Sequence, residues 1–221
     1  MPPLIALFAA LAALDVTGVA AGWPLLEWLT KPLLAPVLAV YLWRRTGTAH
    51  VWVLTGLGFA AAGDVALLLS GPVAFAVGLG FFLGAQVCWI AAFRRAGAVG
   101  YLRTRRRVCA AHLAVWVAAV AVLAPALGPV LGVAVAGYAL ALIGMALTAR
   151  VLGARAAWGG LVFVVSDLLV GLGAAGTGFA GRDVLVMVTY ALALALLVTA
   201  VEATGVPGDP RLSGPAQPVK V

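Results

Sequence analysis

Charge is what this sequence has least of. Only 10% of its 221 residues are Asp, Glu, Lys or Arg, whereas 65% are hydrophobic, and that leaves too little polar surface to cover a soluble globule. An integral membrane protein is expected instead. Cysteine is almost absent: Cys88 and Cys109 are the two in the chain, both inside apolar runs toward the reducing side. No structural disulfide is expected, and no metal-ligand spacing exists. No Lys or Arg precedes the first apolar run, which carries Asp15. Although that run ends in Val19-Ala-Ala-Gly22, it therefore reads as a helix and not as a signal peptide.

What is present is hydrophobic length. Segments of about 20 apolar residues, each able to cross about 30 Å of hydrocarbon at 1.5 Å per residue, recur along the chain. They predict an all-α membrane protein with eight transmembrane helices in one bundle, over residues 3–22, 31–45, 50–70, 72–93, 107–127, 129–150, 156–176 and 184–203. Short connections such as Ser70-Gly71-Pro72 and Leu127-Gly128-Pro129 join neighbours as antiparallel hairpins. Residues 1–203 thus form one domain, and the Pro- and Gly-rich residues 204–221 read as a disordered cytoplasmic tail.

Arginine and lysine set the orientation, because they favour cytoplasmic loops. Arg44, Arg45, Arg94, Arg95, Arg103, Arg105, Arg106, Arg107, Arg150, Arg155, Arg211 and Lys220 fall on one side; Lys31 and Arg182 fall on the other. Both termini are expected in the cytoplasm, most simply across a bacterial plasma membrane. The net charge of +7 is first a topology signal, with membrane lipids as the partners the 103–107 run can hold; no nucleic acid is expected. Trp23, Trp28, Trp43, Trp52 and Trp158 flank spans as interface anchors.

Two aspartates stand out against this background, Asp64 and Asp167, each deep in an aliphatic stretch. A charge at a bilayer centre costs about 3 kcal/mol or more, so such residues face the bundle interior and usually have a function. Asp15, Asp64, Asp167 and Tyr190 all fall between the midplane and about 6 Å outside it, which suggests one cavity. Gly56, Ala60 and Gly63 around Asp64, with Gly160 and Gly171 around Asp167, allow close helix approach. Paired carboxyls in low dielectric can hold one proton between them, donating it while the partner stabilises a cation or orients water. Acetal-like, vinyl ether and peptide bonds can all use that chemistry.

The stretches Leu29-Thr-Lys31-Pro32-Leu-Leu, Ala62-Gly63-Asp64-Val-Ala-Leu-Leu, Gly78-Leu-Gly-Phe-Phe-Leu-Gly-Ala-Gln86, Gly160-Leu-Val-Phe163-Val-Val-Ser166-Asp167 and Met187-Val-Thr189-Tyr190 occur in the order seen in the YhhN family. Over about residues 30–200 the chain resembles that family, which includes animal and bacterial lysoplasmalogenases. The resemblance implies hydrolysis of the vinyl ether bond of a lysophospholipid substrate, a lysoplasmalogen, to a fatty aldehyde and glycerophosphoethanolamine or glycerophosphocholine, with no cofactor and no metal. It implies Asp64 and Asp167 as the catalytic pair. Tyr190 would hold water or one carboxyl, Lys31 the phosphate, and Gln86 the polar head, with Tyr138 and Asp15 completing the candidate substrate-binding set. Two departures bear on substrate choice: Gln86 and Trp89 stand where many relatives read His-x-x-Tyr, and Leu194 replaces a frequent Gln.

Plainer readings stand beside these. Intramembrane aspartates also glue helices or line ion paths; Lys31 and Arg182 can be interface snorkellers; Tyr138, Gln86 and His112 can be satisfied by packing neighbours; Asp15 can be a helix-end polar residue. The alternative function is a proton-coupled transporter or binding protein for a small lipid or amphiphile, which the weak similarity of the Asp64 and Asp167 segments as a parallel repeat would suit. An intramembrane aspartyl protease fits less well. Ala61 stands where its motif needs Gly, and Pro125-Ala126-Leu127 lies between the aspartates instead of after both.

Overall fold

The computed structural model describes residues 3–204. In chain order it contains α1 (Pro3–Ala21), α2 (Pro24–Thr46), α3 (Val51–Leu68), α4 (Pro72–Arg95), the short α5 (Ala98–Arg103), α6 (Arg106–Ala149), α7 (Ala154–Ala174) and α8 (Arg182–Ala203). No strand occurs among the described residues. Seven of these helices are long and apolar enough to cross a membrane, and the chain is a multi-pass membrane protein. Of the tail expected over residues 204–221, all but Thr204, and with it Arg211 and Lys220, lies outside the described residues.

The 44 residues of α6 would make a straight rod of about 66 Å, twice the hydrocarbon thickness. The helix is instead folded at Gly128, whose φ of 73° and ψ of 173° are non-helical. Pro125 and Pro129, on either side, also lack the N–H that a continuous helix needs. Trp116 Nε1 donates to the Ala136 carbonyl at 3.0 Å, although a straight helix would hold those residues about 30 Å apart. A Cβ on Gly132 would likewise lie 3.3 Å from the Ala124 oxygen. The two arms, 106–127 and 129–149, are therefore antiparallel, and they coincide with the fifth and sixth expected spans.

The second span is where the expectation needs correcting. The Lys31-Pro32 pair predicts an outer end for this span, but α2 starts at Pro24 and runs through Pro32 and Pro36. Pro24 supplies a ready-made first turn, while Pro32 leaves only the Trp28 carbonyl without its helical donor. Lys31 is consequently an interior helix residue, two turns in from the end. α5, a single buried-edge turn around Ala98, was not foreseen either.

Packing is sequential, with α1 against α2, α3 against α4 and α7 against α8, and α8 then closes onto α1 and α2. α8 is buried over 50% of its apolar window and α1 over only 17%, so α1 is peripheral. Leu34, Leu38 and Leu42 of α2, Leu57 of α3, Phe163 of α7 and Leu194 of α8 are fully buried between them. At the arginine-rich end, Tyr41 Oη donates to Glu202 at 2.7 Å and Arg45 Nε donates to the other carboxylate oxygen at 2.8 Å, tying α2 to α8. The five flanking tryptophans named above are exposed.

The backbone at Gly128 occupies a region open essentially to glycine alone. Gly128→Ala is expected to cost about 1–3 kcal/mol and to lower the unfolding temperature in detergent. Gly137→Ala, in the second arm with nothing within 4 Å of the added methyl, should leave it unchanged or slightly raised.

Candidate active site

Asp64 lies in the last turns of α3 and is 1% exposed. Its Oδ2 accepts a 2.6 Å hydrogen bond from Tyr190 Oη, which arrives from α8. Asp167 of α7 is served in the same way: Tyr138 Oη, from the second arm of α6, donates to its Oδ2. Each carboxyl thus has one phenol, and each phenol comes from another helix. Leaving a buried acceptor without such a donor costs about 1–3 kcal/mol, more if it is charged, so both pairs hold the helices in register.

The position of Tyr190 is fixed by rings. Its ring meets Phe82 edge-on at 6.0 Å and 85° and Phe163 at 5.8 Å and 80°; Phe163 in turn meets Trp89 at 5.6 Å and 82°. Each such pair is worth about 0.5–1.5 kcal/mol beyond area burial. The small residues predicted to permit close approach do so. Gly56 receives the Trp89 indole, Gly63 the Phe82 ring, Gly160 the Ala146 backbone and Gly171 the Leu123 side chain. Gly63 matters most here, since a Cβ would sit 2.7 Å from the Phe82 ring and push it off the tyrosine beside Asp64.

Asp64 and Asp167 line one cavity of about 420 Å³, together with Lys31, Tyr138, Ser166 and Tyr190. The remaining wall is aliphatic and aromatic, contributed by α3, α4, both arms of α6, α7 and α8. That volume and mostly apolar wall suit a small-molecule or lipid ligand. Tyr190 is an electrostatic neighbour of Asp167 and Tyr138 as well as of Asp64, so the two carboxyl–phenol pairs share one chamber. Ser166 donates to the Val186 carbonyl at 3.1 Å and its proton is already used. Such a chamber can deliver a proton, place negative charge beside a developing cation, and hold an anionic group at Lys31. Among the described residues, no three His, Cys, Asp or Glu side chains cluster tightly enough to hold a metal.

The remaining candidates are placed differently. Asp15 is fully buried; its Oδ1 accepts from Thr30 at 2.8 Å and its Oδ2 has no partner. It is an electrostatic neighbour of Lys31 and Asp64, but it is not among the residues of the cavity wall. Gln86 is fully buried beside Tyr138, just off that wall, and neither of its amide atoms is hydrogen-bonded. His112 is buried, with Nδ1 2.9 Å from the Val108 carbonyl, within its own helix. Arg182 pairs with Asp183 at 2.5 Å.

The partnership of Tyr138 with Asp167 was missed in the sequence, where Tyr138 also passed as a packing residue. Depth could have found it. Tyr138 stands nine residues into the second arm and Tyr190 eight into α8, so both hydroxyls enter at about 12–14 Å. Replacing either tyrosine by Phe is expected to lower stability by about 1–3 kcal/mol. A double-mutant cycle pairing Tyr190→Phe with Asp64→Asn should show coupling of about 0.5 kcal/mol or more in detergent unfolding.

The model of the YhhN family matches residues 26–201. No curated protein and no solved structure matches the chain. The matched range holds Lys31, Asp64, Gln86, Tyr138, Asp167 and Tyr190, and it leaves out α1 with Asp15. It takes in every polar residue of the cavity wall and spans well over half of the sequence, so the chain belongs to the YhhN family.

Proposed function

We propose that this protein is a lysoplasmalogenase-like hydrolase, cleaving the vinyl ether bond of a lysoplasmalogen within the membrane to release a fatty aldehyde and a glycerophospho-alcohol. The observation that carries the reading is the single apolar cavity with two phenol-held carboxyls and a lysine on its wall. A lipid linkage needs that combination. In the proposed reaction the carboxyl pair gives a proton to the β-carbon of the vinyl ether, and an oxocarbenium ion forms at the α-carbon. The ionised partner stabilises that cation. Water adds, and the resulting hemiacetal collapses to aldehyde and free glycerol hydroxyl. Lys31 takes the phosphate, while the aliphatic wall takes the alkenyl chain.

Val115 and Val122, on the first arm of α6, both line the cavity and are 47% and 62% exposed, so the chamber opens along that arm. An opening between membrane-spanning helices favours a substrate arriving sideways from the bilayer. Counting the two arms of α6 as separate crossings gives eight spans, with both termini on the arginine-rich side, which the charge bias assigns to the cytoplasm.

Purified protein in detergent is expected to release free aldehyde from lysoplasmenylethanolamine and none from an ester-linked lysolipid. Asp64→Asn and Asp167→Asn should each cut the rate by about 10²-fold or more while remaining folded. Aldehyde from neither lipid with folded protein overturns the reading in favour of transport or binding, since a transporter has no gradient to use in detergent.

A further inference from the structure

Gln86 is a buried amide whose two polar atoms meet no hydrogen-bond partner. Burying such a group unpaired is costly, typically about 1–3 kcal/mol for each unsatisfied group. Packing alone does not explain its place. It lies on the face of α4 that also carries Phe82, four residues before it, and Trp89, three after it. Phe82 lines the cavity and Trp89 donates its Nε1 proton to the Val53 carbonyl at 3.3 Å. Gln86 is therefore the one side chain of the three with both donor and acceptor uncommitted. Its amide is beside the Tyr138 hydroxyl but outside direct hydrogen-bond geometry. A buried polar pair whose members meet without a well-formed hydrogen bond is one that a single bridging water can satisfy.

The Tyr138 proton goes to Asp167, so the phenol oxygen is left as an acceptor. The Gln86 amide offers both a carbonyl acceptor and N–H donors. A water between them can donate to either oxygen and accept from the amide, next to a carboxyl of the catalytic pair. We infer that Gln86 and Tyr138 hold the water that attacks the oxocarbenium carbon, making Gln86 a water-positioning residue and not a headgroup contact. This rests on the vinyl ether hydrolase reading above. The water oxygen bonds to the α-carbon as its proton passes to Asp167. In the collapse that follows, the bond from that carbon to the glycerol oxygen breaks; the glycerol oxygen gains a proton and the hemiacetal hydroxyl loses one.

The test compares Gln86→Leu and Gln86→His with the parent protein in detergent. It uses lysoplasmenylethanolamine for turnover and the saturated alkyl-ether lysolipid, which binds without being cleaved, for affinity. The expected result for Gln86→Leu is a kcat lower by about tenfold or more, unchanged affinity for the alkyl ether, and an unfolding temperature equal or higher, because a buried amide and the cost of immobilising its water are removed together. Gln86→His, which restores a donor and an acceptor, should recover part of the kcat. A role in packing alone would lower the unfolding temperature, and a headgroup contact would weaken alkyl-ether binding; either result, or an unchanged kcat in Gln86→Leu, overturns the inference. Failure of the parent protein itself to release aldehyde would instead sink the hydrolase reading, so the two failures are distinguishable.

Discussion

A carboxyl group cannot be left alone in hydrocarbon, and in this bundle that constraint organises much else. Asp64 and Asp167 sit on α3 and α7, and each is met by a phenol carried far away in sequence, Tyr190 on α8 and Tyr138 on the second arm of α6. Satisfying the first takes the Tyr190 side chain from α8 across to α3. Satisfying the second requires α6 to turn back on itself, since only a chain folded at Gly128 returns Tyr138 to the depth of Asp167. Without internal partners, backbone or side-chain polar groups in a membrane have nowhere else to turn. The hairpin, the two aspartate–tyrosine bonds and the cavity between them are consequences of one requirement.

The hydrocarbon contacts then narrow the freedom of those phenols. Phe82, Tyr190, Phe163 and Trp89 form an edge-to-face series in which Tyr190 is held between two phenylalanines, and glycines on α3 let the rings approach the helix that carries Asp64. Preorganisation of this kind is what electrostatic catalysis needs, because a carboxyl that must reorient during reaction loses most of its advantage. The site is built on helices, held by packing that has little give. Tyr41, Glu202 and Arg45 fasten α8 to α2 at the far end.

Much of this was legible beforehand because hydrophobic length and intramembrane charge are strong signals in a chain with so little polar surface. The spans now seen as α1, α3, α4, α7 and α8 differ from expectation by a few residues, and Asp64 and Asp167 stood out for lack of any neighbouring charge. Proline was the weak point. Lys31-Pro32 looked like a helix end, although a proline in a membrane helix frees a single carbonyl and a well-packed helix tolerates that. Placing Lys31 on the cavity wall therefore took the three-dimensional path of α2. Asp15 shares the depth of the other aspartates, but on peripheral α1 its Oδ1 accepts from Thr30 and it is not among the wall residues; no depth count reports azimuth. The Tyr138–Asp167 bond was hidden for a related reason, since a pairing across helices leaves no mark in local sequence.

The same physics bears on the one reagent an apolar chamber lacks. Protonating a vinyl ether suits a low-dielectric site, where a carboxyl holds its proton and the opposing charge stabilises the cation strongly. Adding water to that cation does not, since the walls that suit the lipid chain repel water. A chamber of this kind gains from a polar pair at its edge that is poor for stability and good for one water. Gln86 and Trp89 stand three residues apart on one face of α4. Here the tryptophan is tied to the Val53 carbonyl, and the polar capacity of that face of α4 falls to Gln86 alone. On that face the amide is the one side chain able both to donate to a water and to accept from it.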